Sequence, residues 1–412
     1  MNLSFKKYWC SLVIISVFPV LVTVMLLLNT TDQTQTLLVT FGRSGSSFTS
    51  DVIAQNKEVF YTFEPLSFLA REKEVLRVPE HFQTIDLEDF SRRVIESYLL
   101  CTFDFDTFTS LDNIHLRLSN STKDLYECFQ AEKIGMDHLE CYFKFLQECK
   151  SRRMTFAKTI RFPVKWAQDL MMRHPKLKLI YLVRDPRATL NSQAKVFKEF
   201  TFPSNVTSVS ANHCRQLGQD LKQLAHLRDT FPGRVKVFRY ENGARDPTGF
   251  AAEIYDYLAL PITEELTDFV TYLTSPFPHN ATDPKCKNNT EFTTNTTNKT
   301  DRIKQDTDLD LDMKKQDTSL KSNEATQSVN GKTDMTELKY KGQCPFSTHR
   351  DDPVKAMEHW RHEIGFEVAR VIDSHCGHLY QQLGYRAAST KEDLENTADI
   401  SLVDVPQVEG II

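Results

Sequence analysis

The sequence has no large excess of either charge. It contains 50 lysine and arginine residues against 55 aspartate and glutamate residues, for a formal net charge of −5. Proteins whose main partner is DNA or RNA neutralise backbone phosphates with surplus lysine and arginine. The balance therefore argues against nucleic acid as the main partner, although a local basic site is compatible with it.

Motifs of several other protein classes are absent. The nine cysteines form no C-x-x-C pair of the kind that binds zinc. The sequence has neither the G-x-x-x-x-G-K-[ST] loop of ATPases nor the G-x-G-x-x-G turn of dinucleotide-binding enzymes. The letters D-F-D at 104–106 match the D-x-D motif of metal-dependent glycosyltransferases, but they lie in an aromatic-rich stretch and not at a predicted strand end. We therefore predict an activity without a metal.

A long uncharged segment lies near the N-terminus. Residues 8–28 carry no charged side chain, and about 20 apolar residues suffice to cross a membrane. Lys6 and Lys7 precede the segment, which favours a cytosolic N-terminus and a lumenal body. A cleaved signal peptide is the alternative, but its apolar part usually has only about 7–15 residues and no small-x-small site follows Leu28. We expect a cytosolic tail at 1–7, a membrane anchor at 8–28 and a short stem at 29–36.

The cysteine count agrees with an oxidising, lumenal compartment. Cys10 lies in the apolar segment, and the eight other cysteines are an even number that fits four disulfides. Sequence does not fix their pairing, but Cys286 and Cys344, near the two ends of a polar segment, form one hypothetical pair. N-glycosylation sequons begin at Asn29, Asn120, Asn205, Asn280, Asn288, Asn295 and Asn298.

The body alternates short strand-like runs with amphipathic helical patterns. The runs that predict strands lie at 36–41, 59–63, 154–160, 177–183 and 235–240. Apolar residues three and four positions apart predict helices, as from Leu217 to Leu224. Asp-Pro pairs at Asp185, Asp246 and Asp352 predict helix starts, because Asp caps a helix and Pro fits its first position. The alternation predicts an α/β fold, with a P-loop-like parallel β-sheet flanked by helices in a single lumenal domain.

The composition changes abruptly at residue 279. From there to residue 343 the chain is rich in Thr, Asn, Asp and Lys, with few aromatic residues and no periodicity. A segment of that length without a pattern predicts a disordered insertion rather than a loop. We therefore expect one domain over 37–388, interrupted at 279–343 and followed by a loose acidic tail at 389–412.

Two segments carry the candidate chemistry. The first reads T-F-G-R-S-G-S-S-F-T-S-D at 40–51. Its two glycines permit a tight turn after a strand, and its hydroxyls and N–H groups meet at a helix N-terminus, which binds phosphate or sulfate. Arg43 stands where a cation would meet that anion, although a solvated glycine-serine turn is the alternative.

The second segment reads L-I-Y-L-V-R-D-P-R-A-T-L-N-S at 179–192. Arg184 comes at the carboxyl end of a predicted strand, where ligands bind in open α/β sheets, and Ser192 lies in the helix that follows. Both are placed to bind a second phosphate. A salt bridge between Arg184 and Asp185 is the alternative.

Together, these segments resemble the two nucleotide-binding elements of sulfotransferases that use 3′-phosphoadenosine 5′-phosphosulfate (PAPS). The resemblance is closest to the Golgi carbohydrate 6-O-sulfotransferases, and it also takes in F-E-P-L at 63–66 and V-F-R-Y-E-N-G-A-R-D-P at 237–247. It extends to Trp360, Arg361, Cys376 and the L-G-Y at 383–385. The chain departs from the family at Asn242, where an acidic residue is common, and at the polar insertion.

The resemblance implies a single-pass type II Golgi enzyme with PAPS as co-substrate. The sulfate acceptor would be the 6-hydroxyl of GlcNAc, Gal or GalNAc in a glycoprotein or proteoglycan glycan, and a homodimer is a compatible assembly. Arg184 and Ser192 would hold the 3′-phosphate of PAPS. The 5′-phosphosulfate would be wrapped by Arg43, Ser44, Gly45, Ser46, Ser47, Phe48 and Thr49.

Sulfuryl transfer requires a cation at the leaving phosphate and a base at the attacking hydroxyl. Arg43 is the candidate cation. Glu64 is the candidate base, since related sulfotransferases place a Glu or a His in this role; an ion-paired structural carboxylate is the alternative. A nucleotide-sugar glycosyltransferase and a non-catalytic, membrane-anchored glycan-binding protein are the other functions to be tested.

Three further residues could contact the substrate. Lys158 and Arg161 could bind a sulfate or carboxylate of the substrate, but the pattern favours a solvated strand edge. Trp360 could stack on a sugar, but we expect it to anchor the core.

Overall fold

The structure is a computed structural model, and it describes residues 33–69, 86–131, 136–197, 200–275, 348–398 and 401–403. The chain divides into two units, Met1–Thr274 with Asp352–Ile412 and Ser275–Asp351. The fold given below is that of the first unit. The expected anchor at 8–28, the expected insertion at 279–343 and the hypothetical Cys286–Cys344 pair lie outside the described residues. In the ranges just given, no helix is long and apolar enough to cross a membrane.

A five-stranded parallel sheet forms the centre of the unit. Its order is β2-β3-β1-β4-β5, and all four strand pairs are parallel. The strands are β1 (Thr34–Thr40), β2 (Val59–Phe63), β3 (Met154–Thr159), β4 (Leu177–Val183) and β5 (Val235–Arg239). The prediction of a parallel sheet from five strand-like runs is confirmed.

The helices pack around this sheet. In chain order they are α1 (Ser46–Ala54), α2 (Leu87–Leu100), α3 (Phe105–Phe108), α4 (Lys123–Gln130), α5 (Met136–Ser151), α6 (Ala167–Arg173), α7 (Pro186–Ala194), α8 (Val206–Thr230), α9 (Tyr240–Arg245), α10 (Pro247–Leu258), α11 (Glu264–Thr274), α12 (Pro353–Glu358), α13 (Phe366–Leu383) and α14 (Lys391–Glu395). Short 3₁₀ turns lie at Thr109–Leu111, Ile114–Leu118, Val164–Trp166 and His359–His362.

The three Asp-Pro pairs start helices as predicted. The Asp185 carboxylate accepts a hydrogen bond from the Arg187 N–H at the start of α7. Asp246 does the same at α10 and Asp352 at α12, each toward the N–H three residues on. A proline occupies the first turn in all three helices. These caps fix where each helix leaves the sheet, and therefore where the segment before it lies.

Three disulfides are found in the described residues. They are Cys101–Cys149, Cys128–Cys141 and Cys214–Cys376. The last one links α8 to α13, which comes after the predicted insertion. Six of the eight cysteines expected in disulfides are therefore paired, in keeping with the oxidising compartment inferred from the sequence.

Two predicted boundaries are wrong. The sheet begins inside the expected stem, because β1 pairs with β3 from Thr34 onward. The described part of the expected loose tail is packed: Leu394 and Leu402 are fully buried, and the fully buried Arg361 donates to the Leu394 carbonyl at 2.8 Å. A few apolar side chains and one buried guanidinium outweigh the acidic composition of this segment.

Candidate active site

The carboxyl ends of the five strands bring the candidate residues to one edge of the sheet. The chain leaves β1 toward β2 on one side and leaves β4 toward β5 on the other, while β1 and β4 are neighbours. In open α/β sheets this reversal opens a crevice, and ligands bind there. Arg43 and Arg184 follow these two strands, so both lie at the crevice.

The loop after β1 presents the N-terminus of α1 to the crevice. Arg43 has φ +70° and Gly45 has φ +86°, so the backbone turns sharply before the helix begins. Gly45 is the N-cap and has no side chain to cap the first-turn N–H groups. These donors and the helix dipole suit a phosphate or a sulfate.

The other residues of this loop differ in exposure. Ser44, Ser46 and Thr49 are buried, and Ser47 is half-buried. Phe48 stacks on Phe250 with ring centroids 6.4 Å apart. The aromatic side chain therefore holds α1 against α10, while the serines lie around the start of the helix.

Tyr240 joins the two predicted phosphate sites. A Cβ added to Gly45 would lie 2.2 Å from the Tyr240 ring, so no larger residue fits at position 45. The Arg184 guanidinium lies 4.6 Å from the centroid of the same ring, a cation–π distance. The first residue after β5 is thus a wedge that sets the distance between the α1 loop and Arg184.

Direct hydrogen bonds connect the same two segments. The Arg43 Nε donates to Ser192 Oγ at 3.1 Å, and the Arg184 Nη1 donates to the Arg43 carbonyl at 2.9 Å. The Arg184 Nε is buried and has no hydrogen-bond partner among the described residues. A buried donor of this kind is costly unless a ligand satisfies it, so Arg184 fits the phosphate of a bound nucleotide.

Asp185, the alternative partner expected for Arg184, pairs with Arg187 instead. Both carboxylate oxygens of Asp185 accept from Arg187, at 3.0 and 2.7 Å. Arg187 is fully buried, lies over the Trp360 and Tyr380 rings, and is 3.3 Å from Asp373. No role for Arg187 was predicted, because its only signal in the sequence is that it is the second arginine of R-D-P-R. Trp360, at 5% exposure, is a core residue as expected.

Glu64 lies at the end of β2 and is held by two cations. Its oxygens are 2.7 Å from Lys158 Nζ and 2.7 Å from Arg161 Nη1, and the Ile160 N–H donates at 3.3 Å. Burial acts to raise the pKa of Glu64, but the charges of Lys158 and Arg161 outweigh it and hold that pKa below its usual value. The solvated strand edge expected for Lys158 is wrong, because this side chain is only 4% exposed.

His115 lies beside this group and was missed by the sequence analysis. Its ring stacks on Phe63, with centroids 5.9 Å apart. Burial lowers the pKa of His115 to about 4, and Arg161 and Lys158 lower it further against the opposing charge of Glu64. The imidazole is therefore neutral at physiological pH. No motif contains His115, and only the fold brings it to β2.

The residues after β5 explain the departure at Asn242. The Asn242 Oδ1 accepts from Arg239 Nε at 3.0 Å and from Nη2 at 2.8 Å, so the amide oxygen replaces a carboxylate oxygen at this contact. The neighbouring Glu241 accepts from the Asp185 N–H and from the Tyr385 hydroxyl, both at 2.9 Å. The segment after α13 therefore supports the backbone that carries Arg184.

The D-x-D letters do not form a metal site. Asp104 and Asp106 both pair with Arg93, at 2.6 and 2.8 Å. Across the part of the chain that the structure describes, no group of three or more His, Cys, Asp and Glu side chains is arranged to hold a metal.

The sequence of the chain matches that of known proteins. The family model described as "Sulfotransferase family" matches residues 36–264, more than half of the chain. Carbohydrate sulfotransferase 1 of Danio rerio is 24% identical over 426 residues, covering 91% of this chain and 83% of the relative. The human carbohydrate sulfotransferase 1 is 23% identical and covers 91% and 85%, and carbohydrate sulfotransferase 3 of Tetronarce californica is 28% identical and covers 57% and 60%. The chain belongs to the sulfotransferase family.

Proposed function

We propose that this sulfotransferase transfers a sulfuryl group from PAPS to a carbohydrate, at the 6-hydroxyl of GlcNAc, Gal or GalNAc in a glycan. The observation that carries the proposal is the meeting of two anion sites at the crevice between β1 and β4. One is the open N-terminus of α1 with Arg43, and the other is Arg184 with its unsatisfied Nε. PAPS has two phosphate-bearing ends, and the names of the relatives favour a carbohydrate acceptor.

In this proposal the α1 loop and Arg184 divide the nucleotide between them. The residues from Arg43 to Thr49 hold the 5′-phosphosulfate, with Arg43 stabilising the charge that develops on the leaving phosphate. Arg184 and Ser192 hold the 3′-phosphate. Because Arg43 now bonds Ser192, nucleotide binding replaces this hydrogen bond with contacts to the two phosphate groups.

Glu64 takes the proton of the attacking hydroxyl in this mechanism. In the structure, the oxygens of the Glu64 carboxylate are paired with Lys158 and Arg161, and this pairing makes the carboxylate a poor proton acceptor. A bound phosphosulfate offers these cations a competing anion, since Ile160, between them, packs toward Gly42 of the α1 loop. The sulfur–oxygen bond to phosphate breaks as the bond to the sugar oxygen forms, and Glu64 receives the hydroxyl proton.

The proposal includes a lumenal, single-pass type II placement in the Golgi. The uncharged segment at 8–28 and the three disulfides of the described unit support it. In this arrangement the body follows the anchor after only a few residues, because β1 starts at Thr34.

A direct assay tests the activity. The full-length chain in detergent micelles is incubated with ³⁵S-labelled PAPS and a panel of glycans that end in each of the three sugars. The sulfated carbon is then located by mass spectrometry. We expect label on carbon 6 of one sugar class, and loss of transfer in Arg43→Ala and Arg184→Ala. Lys144→Ala is the matched control, because Lys144 is an exposed helical cation that pairs with Glu140.

Two outcomes would overturn the proposal. One is the absence of label in every acceptor together with no binding of the product 3′,5′-bisphosphate nucleotide. The other is sugar transfer from a nucleotide-sugar donor by the same preparation, which would favour a glycosyltransferase.

A further inference from the structure

β2 lies at the outer edge of the sheet, and side chains rather than a strand cover its free side. The Tyr61 N–H donates to Ser121 Oγ at 3.1 Å, and the Ser119 hydroxyl donates to the Tyr61 carbonyl at 2.6 Å. At the end of the strand, the Asn113 side chain donates to the Glu64 carbonyl at 3.0 Å. The segment from Asn113 to Thr122 therefore satisfies the edge of β2 with single polar side chains.

An edge covered in this way is less protected than one paired with a strand. If the segment moves, the backbone groups of Tyr61 become a template for a strand of another chain. The outward-facing part of the segment is Asn120, which lies between the two serines that hold Tyr61. Asn120 is exposed, and no hydrogen bond to its carboxamide is found among the described residues.

Asn120 is also the first residue of the sequon Asn120-Ser121-Thr122. We propose that Asn120 carries an N-linked oligosaccharide and that this glycan shields the β2 edge from pairing with other chains. The proposal rests on the lumenal placement given under the proposed function. The other described sequon differs, since Asn205 is half-buried and its Oδ1 accepts from the Thr201 N–H at 3.0 Å.

The modification is an ordinary transfer from a lipid-linked oligosaccharide pyrophosphate. The Asn120 Nδ2 forms a bond to C1 of the first sugar, the bond from C1 to the pyrophosphate oxygen breaks, and the amide loses one proton. In the folded chain the Thr122 hydroxyl is fully buried and donates to the Leu116 carbonyl at 2.5 Å. A transferase that must recognise this hydroxyl can act only before the segment folds onto β2.

The structure also predicts what the glycan leaves unchanged. Glu64 is held by Asn113 and by the two cations, and no hydrogen bond or ion pair within the described ranges joins Asn120 to any of them. We therefore expect the glycan to affect association between chains, and to leave the fold and the chemistry of the site as they are.

Three single substitutions separate the effect of the glycan from the effect of the hydrogen bonds around it. Asn120→Gln removes the sequon and keeps both serines. Ser121→Ala keeps the sequon and removes the acceptor for the Tyr61 N–H. Asn205→Gln removes the other described sequon, at the start of α8, and is the matched control.

The experiment expresses the full chain and these variants in mammalian cells. Glycosidase treatment that converts an occupied asparagine to aspartate, followed by peptide mass spectrometry, gives the occupancy of Asn120. Size-exclusion chromatography after mild heating gives the aggregated fraction, and circular dichroism gives the Tm. We expect Asn120 to be occupied, and Asn120→Gln to raise the aggregated fraction several-fold at an unchanged Tm. Ser121→Ala should lower the Tm by a few degrees with the glycan retained.

Removing the glycan from the folded wild-type chain should reproduce the behaviour of Asn120→Gln. The proposal is overturned if Asn120 is unmodified, or if Asn120→Gln aggregates no more than Asn205→Gln. Its failure is distinct from that of the proposed function: an occupied Asn120 with no sulfate transfer rejects only the activity. Sulfate transfer by a chain with an unmodified Asn120 rejects only the glycan.

Discussion

Glu64→Gln separates the structural role of this carboxylate from its chemical role. Glutamine keeps the volume and one oxygen, but it removes the charge that lies 2.7 Å from both Lys158 and Arg161. Removal of one partner from a buried ion pair costs about 3–5 kcal/mol. Arg161 is 30% exposed and stays solvated, whereas Lys158 is left buried. We therefore expect the lower end of that range, about 3 kcal/mol, in urea unfolding at an unchanged m-value.

A second substitution gives the matched control. Lys158→Met alone leaves Glu64 with Arg161 and the Ile160 N–H, so it too should destabilise the fold. The double variant lacks both buried charges, so no buried charge remains without its partner. Its loss of stability should fall short of the sum of the single losses by about 2 kcal/mol, as contacting residues allow. Additivity within about 0.5 kcal/mol would refute the ion pair as the cause.

The same variant tests whether Glu64 takes the proton of the acceptor. A general base contributes about 10²–10⁴-fold to the rate, so folded Glu64→Gln should lose at least about 100-fold in kcat. Its affinity for the 3′,5′-bisphosphate product should stay near wild type, because Glu64 lies outside the candidate phosphate-binding loop. Measurement is made below the Tm of the variant, with calorimetry for nucleotide binding. A folded variant with nearly full kcat would refute the assignment and leave Glu64 a structural anion.

Three further outcomes follow from the structure. Gly45→Ala should weaken nucleotide binding at least about tenfold in calorimetry, since strain at a positive φ costs about 1–3 kcal/mol and the added Cβ also strikes the Tyr240 ring. Gly233→Ala is the control for strain alone, because Gly233 has φ +74° and no described atom lies within 4 Å of the added Cβ. Loss of the Cys214–Cys376 disulfide, whose cysteines are 162 positions apart, should cost about 5 kcal/mol in loop entropy. Loss of the Cys128–Cys141 disulfide, whose cysteines are 13 positions apart, should cost about 3 kcal/mol. Burial raises the pKa of Asp220 to about 6 from 3.8. Protonation of Asp220 therefore stabilises the fold fully below pH 3.8, and this stabilisation is lost as the pH rises through 6. Asp220→Asn should flatten the plot of unfolding free energy against pH between these values, and an unchanged slope of that plot would contradict the raised pKa of Asp220.

The sheet was predictable because each strand carries its own signal. A strand covered on both faces is a continuous apolar or β-branched run, and β2 and β4 were predicted with their observed bounds. The Asp-Pro pairs were equally local, since the cap and its acceptor lie within three residues. The two candidate phosphate segments combine such signals, a strand end followed by a helix start. Local patterns therefore indicated Arg43 and Arg184 as candidates without any knowledge of packing.

The partners of these residues were not predictable, because they are remote in sequence. Lys158 and Glu64 are 94 positions apart and meet only through the register of β2 and β3. A lysine after an apolar run has the pattern of a solvated edge, and only the opposing carboxylate makes its burial tolerable. Arg187 depends in the same way on Asp373, beyond the polar insertion. Whether a charged side chain can be buried depends on its partner in the fold, and a linear sequence pattern does not show that partner.

Backbone strain links the two candidate catalytic residues. Arg43 and Glu64 both have positive φ, at +70° and +50°, and each directly follows or nearly follows a strand. A residue with a side chain adopts this conformation at a cost of about 1–3 kcal/mol, and it persists only where neighbours over-determine it. Arg184 holds the Arg43 carbonyl, and Asn113 holds the Glu64 carbonyl. The fold therefore holds these residues in conformations that isolated segments would not keep, and both aim side chains from the carboxyl edge of the sheet.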